Sequence, residues 1–579
     1  MNETRITVQQ IVGKILSAIG IRKVVSIDDF YATADSCYED AVTLFQTARL
    51  NKDVEYGDSI PQHILDAEES IWTRQLRSFW FGIEPDARLA ILGELAAATE
   101  YRGSLSDVRD LSLLRGLIPE GLLVALSPDD WDRKREGILS EARADHRILC
   151  LFDQDLHMVN RSEAAGIALL QQALNEQGGE SYVICGLLTQ TLGKNDETRK
   201  AREFAEEFKL SLDQFLPLSK DRLRGDPMEF ADGLKMTILN YARERLSRQV
   251  RDLTEQASEE AQRQMNDIDV YDFEHIVIRS SEGEGVWEPD TLFRLFDLFR
   301  YNAFKTEALD PEKRTSIYGV IEGMRAIRNI KTLELQQERP SDEVHKIRHI
   351  ELFEDADSLN PAHQPIDLGD IFEVGLGQYY ILLTQPCDLM IRSSRGKRGV
   401  KLACLVQISA LGANQEEPKS ISSFQLDHFD GQLGQRTYVK FRNSFQISLA
   451  ILDLAAFNDD GKCRISLSGM DGTGFSTLHV PWRRRFEVLQ RLYQSTHKEF
   501  AKIPYHQASN YQKKALKYLL VCSNKDVDLQ YDVDGTFEFG IRRIARLRRP
   551  LSVELLSAYF SFLSRNPREH DFTRTDGVC

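Results

Sequence analysis

Apolar positions Ile6, Val8, Ile11, Val12, Ile15, Leu16 and Ile19 recur at near-helical spacing over residues 5–20, and Gly20 stands where a helix would be capped. The next stretch, Val24-Val25-Ser26-Ile27-Asp28-Asp29-Phe30, is a β-branched run ending in two adjacent carboxylates. Such side chains suit a pleated surface packed on both faces, so the run predicts a buried strand with the acid pair at its C-terminal mouth. Taken alone, the pair fits an Asx turn or a helix N-cap equally well. Residues 32–145 are mostly helical by pattern, as in 70–81 and 86–100, and Trp72, Phe79, Trp80 and Phe81 predict a core within this insert or a packed partner. Residues 147–156 form a second apolar run with an acidic end, 163–175 a helix, and 182–189 a third strand ending in a hydroxyl. A helix around 197–208 leads to a fourth strand, 214–220, ending in a lysine. This alternation predicts a parallel sheet with crossover helices.

Residues 222–345 read as helical. The segment 228–267 is long, charged and periodic, with Ala231, Leu234, Ile238, Tyr241 and Ala242 on one stripe, and reads as a solvated or partner-packed arm ahead of a coiled-coil dimer. Leu292, Phe293, Leu295, Phe296, Leu298 and Phe299 predict a buried apolar helix, and Arg339-Pro340-Ser341-Asp342 a linker. From about residue 346 the period becomes that of strands, at 369–374, 379–383, 400–409, 436–441, 445–454 and 463–467, which predicts a small antiparallel barrel or sandwich. Cys387 and Asp388 lie within it, and with no histidine placed as a base they read as a turn rather than a nucleophile. From Pro481 the chain reads as helical and basic: Arg483, Arg484 and Arg485, then Arg542, Arg543, Arg546, Arg548 and Arg549 interleaved with Ile541, Ile544, Ala545 and Leu547. The first reading pairs these arginines with surplus acids on the barrel; the second gives them phosphate or nucleic acid. The expected division is 1–225, 226–345 and 346–579.

Composition narrows the classes. At 579 residues the chain holds several domains, and 42% hydrophobic with 28% charged residues is ordinary globular protein. A formal charge of −16 argues against a surface that coats nucleic acid. Eight cysteines stand singly with no CxxC pair, which argues against a zinc ribbon or thioredoxin-type site; Cys150 and Cys185 read as buried free thiols. With no secretory leader and no membrane-length apolar run, the expected location is the cytoplasm, away from any membrane.

The strand ends form a constellation. Asp28, Asp29, Asp153, Thr189 and Lys220 each close a predicted strand, so a parallel sheet gathers them at one mouth. Three carboxylates suit a hard divalent cation, and a lysine and a hydroxyl suit the oxygens of a phosphoryl group. This pattern resembles the response-regulator receiver domain of two-component signalling. Ile27-Asp28-Asp29-Phe30 is similar to the family's acidic pair, Leu151-Phe152-Asp153 to its phospho-acceptor strand, and Gly166-Ile167-Ala168-Leu169-Leu170 to the helix that follows. Thr189 falls on the family's switch hydroxyl and Lys220 on its lysine. The resemblance covers about residues 5–230 and is interrupted by the helical insert.

What the resemblance implies is a doubly wound, flavodoxin-like receiver domain, followed by a helical middle and a β-rich, barrel-like C-terminal domain with terminal helices. It further implies phosphorylation on Asp153 by a histidine-kinase-like ATPase partner, and Mg²⁺ held by Asp29 and Asp153, with Asp28 acting mainly through water. The backbone of Asp155 would add a ligand, and its side chain is a rival acceptor. The implied role is phosphorelay signalling in bacterial antiphage defence, with the other domains as output and no separate catalytic motif. Asp221 stands where the family usually has proline, and Pro217 where it often has its switch aromatic. Those departures favour the alternative, a phosphorylation-dead receiver scaffold that assembles with a separate effector.

Overall fold

The computed structural model describes the chain apart from residues 1–6, 32–37, 52–55, 58–59, 99–105, 155, 157–164, 177–181, 195, 211–214, 333–341, 393–394, 412–419, 430–435, 469–477, 479, 522–526 and 565–579. Of the expected linker at 339–342, residues 339–341 lie outside the described residues and Asp342 begins the helix Asp342–Leu352. Two compact units are present: Met1–Glu259 with Asn302–Gln337, and Glu260–Tyr301 with Glu338–Cys579.

The first unit is built on a five-stranded sheet, β1 (Ile21–Ile27), β2 (Leu123–Leu126), β3 (Arg147–Asp153), β4 (Val183–Thr189) and β5 (Phe215–Ser219). The order is β2-β1-β3-β4-β5 and every pairing is parallel. Four of these strands match the expected apolar runs. The fifth, β2, lies inside the stretch read as mostly helical. It is set by a short apolar run between Gly121, at φ +81°, and Ser127-Pro128. Ser127 accepts the N–H of Asp130 and starts the helix Pro128–Ser140.

Alternate residues of the sheet feed two cores. Val24, Leu149, Leu151, Ile184 and Leu218 pack with helix Val8–Ala18 and with Phe230, Ala231, Leu234 and Ile238 of the 41-residue helix Pro227–Asp267. Val25, Ile27, Cys150, Phe152, Cys185 and Leu187 pack on the opposite face with Trp131 and with Ile167 and Leu170 of helix Ala165–Asn175. Cys150 and Cys185 are buried register partners and are free thiols, as expected. The insert has a core of its own around Phe45, Trp72, Leu76, Trp80 and Leu92, the first of the two options its aromatics offered.

The second unit carries a nine-stranded antiparallel sheet: β6 (Phe353–Asp355), β7 (Asp370–Val374), β8 (Gln378–Leu382), β9 (Leu402–Ala410), β10 (Ser423–Gln425), β11 (Thr437–Ser448), β12 (Lys462–Ser466), β13 (Leu529–Tyr531) and β14 (Thr536–Leu547). Its path is β10-β11-β9-β8-β7-β14-β12, and no pairing of β10 with β12 closes it among the described residues. Helix Val480–Phe500 packs on one face through Trp482, Phe486 and Leu489, and helix Leu551–Leu563 on the other through Leu555 and Tyr559.

Three expectations are corrected. The stretches 436–441 and 445–454 are one strand, β11, with a register irregularity between Lys440 and Ser444, followed by helical turns over Leu449–Phe457. The arginine-rich segment at 541–547 is strand β14 rather than helix. The helix Glu288–Ala308 is not buried along its apolar run: Phe293 is 60% and Leu298 62% exposed. Cys387 is exposed in the short helix Pro386–Leu389, its Sγ 3.5 Å from Gln385 Oε1. No helix among the described residues is long and apolar enough to cross a membrane.

Candidate functional site

In the first unit the chain adds β2 on one side of β1 and then β3 on the other. The strand order therefore reverses between β1 and β3, and in open α/β sheets the C-terminal ends of the strands at such a point are where ligands bind. Asp28 leaves β1 at that point. Its N–H donates to Leu126 O (3.2 Å), extending the β1–β2 pairing by one residue and fixing where the acid pair emerges. Asp29 begins a 3₁₀ turn, closed by Tyr31 N–H donating to Asp28 O (3.2 Å). Asp153 is the last residue of β3.

Asp28 and Asp153 are buried and Asp29 is half-buried. One carboxylate oxygen of each lies within 4.8 Å of the other two. Lys220 reaches in from the end of β5, its Nζ 3.0 Å from Asp153 Oδ1 and 3.1 Å from Oδ2, with both side chains 3% exposed. Sequence order alone had placed these four residues on three strands; the sheet brings them to one mouth. Gathered oxygens without nitrogen or sulfur ligands are the donor set of a hard cation such as Mg²⁺.

Thr189 ends β4 and is fully buried. Its Oγ1 is 2.8 Å from Thr191 Oγ1 and accepts the Thr191 N–H at 3.0 Å. The hydroxyl is thus engaged along its own loop. The Thr189 carbonyl accepts the Lys220 N–H (2.9 Å), which ties the hydroxyl-bearing and lysine-bearing strand ends together. Asp155 lies outside the described residues.

Two supports of the site were not singled out in the sequence. Glu197 and Arg222 form a buried pair, Arg222 Nε donating to Glu197 Oε1 at 2.9 Å and Oε2 at 3.0 Å, while Glu197 also accepts the Ser219 N–H at 2.8 Å. This pair clamps the backbone on both sides of Lys220, which keeps helical geometry and starts the short helix Asp221–Arg224. Asp221 in place of proline therefore leaves the lysine within reach of Asp153. Gly166 does similar work for β3: a Cβ there would lie 1.9 Å from the Asp153 carbonyl oxygen, so only glycine permits helix Ala165–Asn175 to sit that close. The glycine was legible as part of the Gly-x-x-Leu-Leu pattern; its packing was not. The Glu197–Arg222 pair had no local signal, because its members lie in different elements.

The arginines of the second unit form a separate group. Arg543 is fully buried and donates to Asn360 Oδ1 (2.8 Å) and Gln364 O (2.9 Å), with Asp370 Oδ2 at 3.4 Å. Arg546 binds Asp370 through Nε (2.5 Å) and Nη2 (3.2 Å). Arg542 pairs with Glu373 and Arg549 with Asp367. These contacts match the first reading, arginines paired with acids. No family model, curated protein or solved structure matches this chain.

Proposed function

We propose that the first unit is a receiver-like domain of doubly wound, flavodoxin-like topology that accepts a phosphoryl group on Asp153. The observation that carries this reading is the convergence of Asp28, Asp29 and Asp153 within 4.8 Å, with the Lys220 ammonium on Asp153, where the strand order reverses. In the proposed reaction an Asp153 oxygen attacks the phosphorus of a phosphohistidine on a histidine-kinase-like partner. The P–O bond forms, the P–N bond breaks, and the imidazole keeps the electron pair. Lys220 lies where it can follow charge from the carboxylate to the phosphoryl oxygens, and Thr189 can exchange Thr191 for the new acceptor. Asp28, Asp29 and Asp153 would hold Mg²⁺, which when bound would neutralise charge on the phosphoryl oxygens. Output through the remaining domains, in antiphage defence, follows from the resemblance alone.

The second reading is a phosphorylation-dead scaffold. It is favoured by the Thr189 hydroxyl, held at 2.8 Å from Thr191 Oγ1. A melting-temperature titration separates the two. A receiver should be stabilised by Mg²⁺ together with beryllium fluoride, a phosphoryl mimic, beyond the effect of either alone, and Asp29→Ala should lose that response. An identical response in wild type and Asp29→Ala would leave the scaffold reading standing.

A further inference from the structure

The second unit contains a cleft of about 440 Å³ between the segment Lys397–Leu402, the turn at Ser448–Ala450, helix Val480–Phe500 and residues 519–521. That volume is within the range of small-molecule sites. Four cationic side chains line it, Lys397, Arg398, Lys401 and Arg485, and among the described residues no carboxylate does. Val400, Val488, Leu492, Leu519 and Val521 supply apolar wall, and Leu492, Leu519 and Val521 are 40%, 51% and 46% exposed.

The floor of the cleft carries more positive than negative charge. Arg398 Nη1 lies 2.9 Å from Asp453 Oδ1, and Arg485 Nε 2.7 Å from Asp453 Oδ2, with Asp453 fully buried. One carboxylate thus serves two guanidinium groups. The Arg398 side chain is 3% exposed, yet among the described residues its Nε and Nη2 have no hydrogen-bond acceptor. Its guanidinium carbon lies 5.7 Å from the centre of the Trp482 ring, which favours the cation but offers no oxygen acceptor. Burial, with Arg485 adding to it and Asp453 opposing, holds the Arg398 guanidinium below the usual arginine value. Elsewhere in the unit, Arg543 shows how a structural arginine is completed, by a side-chain amide and a backbone carbonyl. Unsatisfied donors on a buried cation are costly, and they are tolerated where a ligand supplies the acceptor.

We propose that this cleft binds a small organic carboxylate, with its oxygens accepting from Arg398, its charge drawn in by Lys397 and Lys401, and its apolar body lying on Val488 and Leu492. The two lysines are exposed, as rim residues that steer an anion would be. The site is independent of the Asp153 chemistry.

The test is calorimetric titration of the full chain with octanoate, 1-octanol and inorganic phosphate. Octanoate should bind, and octanol and phosphate should each bind at least about tenfold more weakly, because each offers only half of the recognition. Arg398→Met should weaken octanoate about tenfold or more. Lys401→Glu, at an exposed position with no burden on folding, should also weaken it, with a smaller salt dependence than wild type. No binding of octanoate, equal binding of octanol or phosphate, or wild-type affinity in Lys401→Glu would each overturn the proposal.

Discussion

The mouth of the parallel sheet and the Asp370 cluster of the second unit are both buried and charged, and they are balanced in opposite ways. At the mouth three carboxylates lie within 4.8 Å of one another, and the Lys220 ammonium pairs with Asp153. At Asp370 two guanidinium groups share one carboxylate, but the remaining donors are met by Asn360, Gln364 and the Pro365 carbonyl. Arginine donors can be completed by neutral oxygens, so a surplus of arginine is compatible with a purely structural cluster. Carboxylate oxygens crowded within 4.8 Å cannot relieve one another. That asymmetry is the ground on which we propose chemistry for the acidic mouth, while the Asp370 cluster reads as architecture.

The largest expected effect is on the structural side. Asp370→Asn leaves Arg543 and Arg546 buried without their counter-charge, which should cost about 3–5 kcal/mol in guanidinium unfolding followed by circular dichroism. Asp28→Asn, although nearly as buried, removes one of three like charges and should cost markedly less than Asp370→Asn while impairing function. Equal destabilisation by the two substitutions would break the comparison. Gly166→Ala should cost about 1–3 kcal/mol, because its Cβ must displace the Asp153 carbonyl, and it should also blunt any response to Mg²⁺. Wild-type stability and Mg²⁺ response in that variant would show that the helix does not position Asp153.

The ends of β1, β3, β4 and β5 were legible because apolar runs stop abruptly at polar residues. The cluster followed once the strands were taken as parallel. Strand β2 escaped because four apolar residues, Leu123–Leu126, do not distinguish helix from strand by period. Strand β14 escaped for a different reason. Its buried positions are Phe537, Phe539, Ile541, Arg543, Ala545 and Leu547, and Arg543 breaks the apolar alternation. A buried arginine reads as a surface residue until Asn360 and Asp370, more than 170 positions away in sequence, are seen beside it. The run around Leu292–Phe299 misled because apolar residues on several sides of a helix do not specify which of them is covered.

Titrating metal sharpens the contrast further. At about a hundredfold excess over its dissociation constant Mg²⁺ should stabilise the first unit by about 2.7 kcal/mol, with no such gain in Asp29→Ala. The smallest expected effect concerns acid. Arginine does not titrate in the usual range, so the acid sensitivity of the second unit should come from other groups, His428 among them. Its Nδ1 is 3.2 Å from His345 Nδ1, and burial first, then His345, hold its imidazole below the usual histidine value. The folded protein then takes up this proton at lower pH than the unfolded chain does. The contribution is complete above about pH 6.5 and is lost as pH falls from there through the folded value. His428 has φ +62°, which asparagine tolerates, so His428→Asn should flatten the pH dependence of the melting temperature between about pH 6.5 and 5 without unfolding the protein.

The central claim, that the acidic mouth accepts a phosphoryl group, is tested most directly by intact-mass measurement after incubation with acetyl phosphate. The account predicts a single phosphoryl adduct that forms only with Mg²⁺, is released by hydroxylamine as an acyl phosphate should be, disappears in Asp153→Asn and survives in Asp155→Asn. An adduct that persists in Asp153→Asn, or no adduct under any condition while Asp153→Asn retains full biological activity, would contradict it.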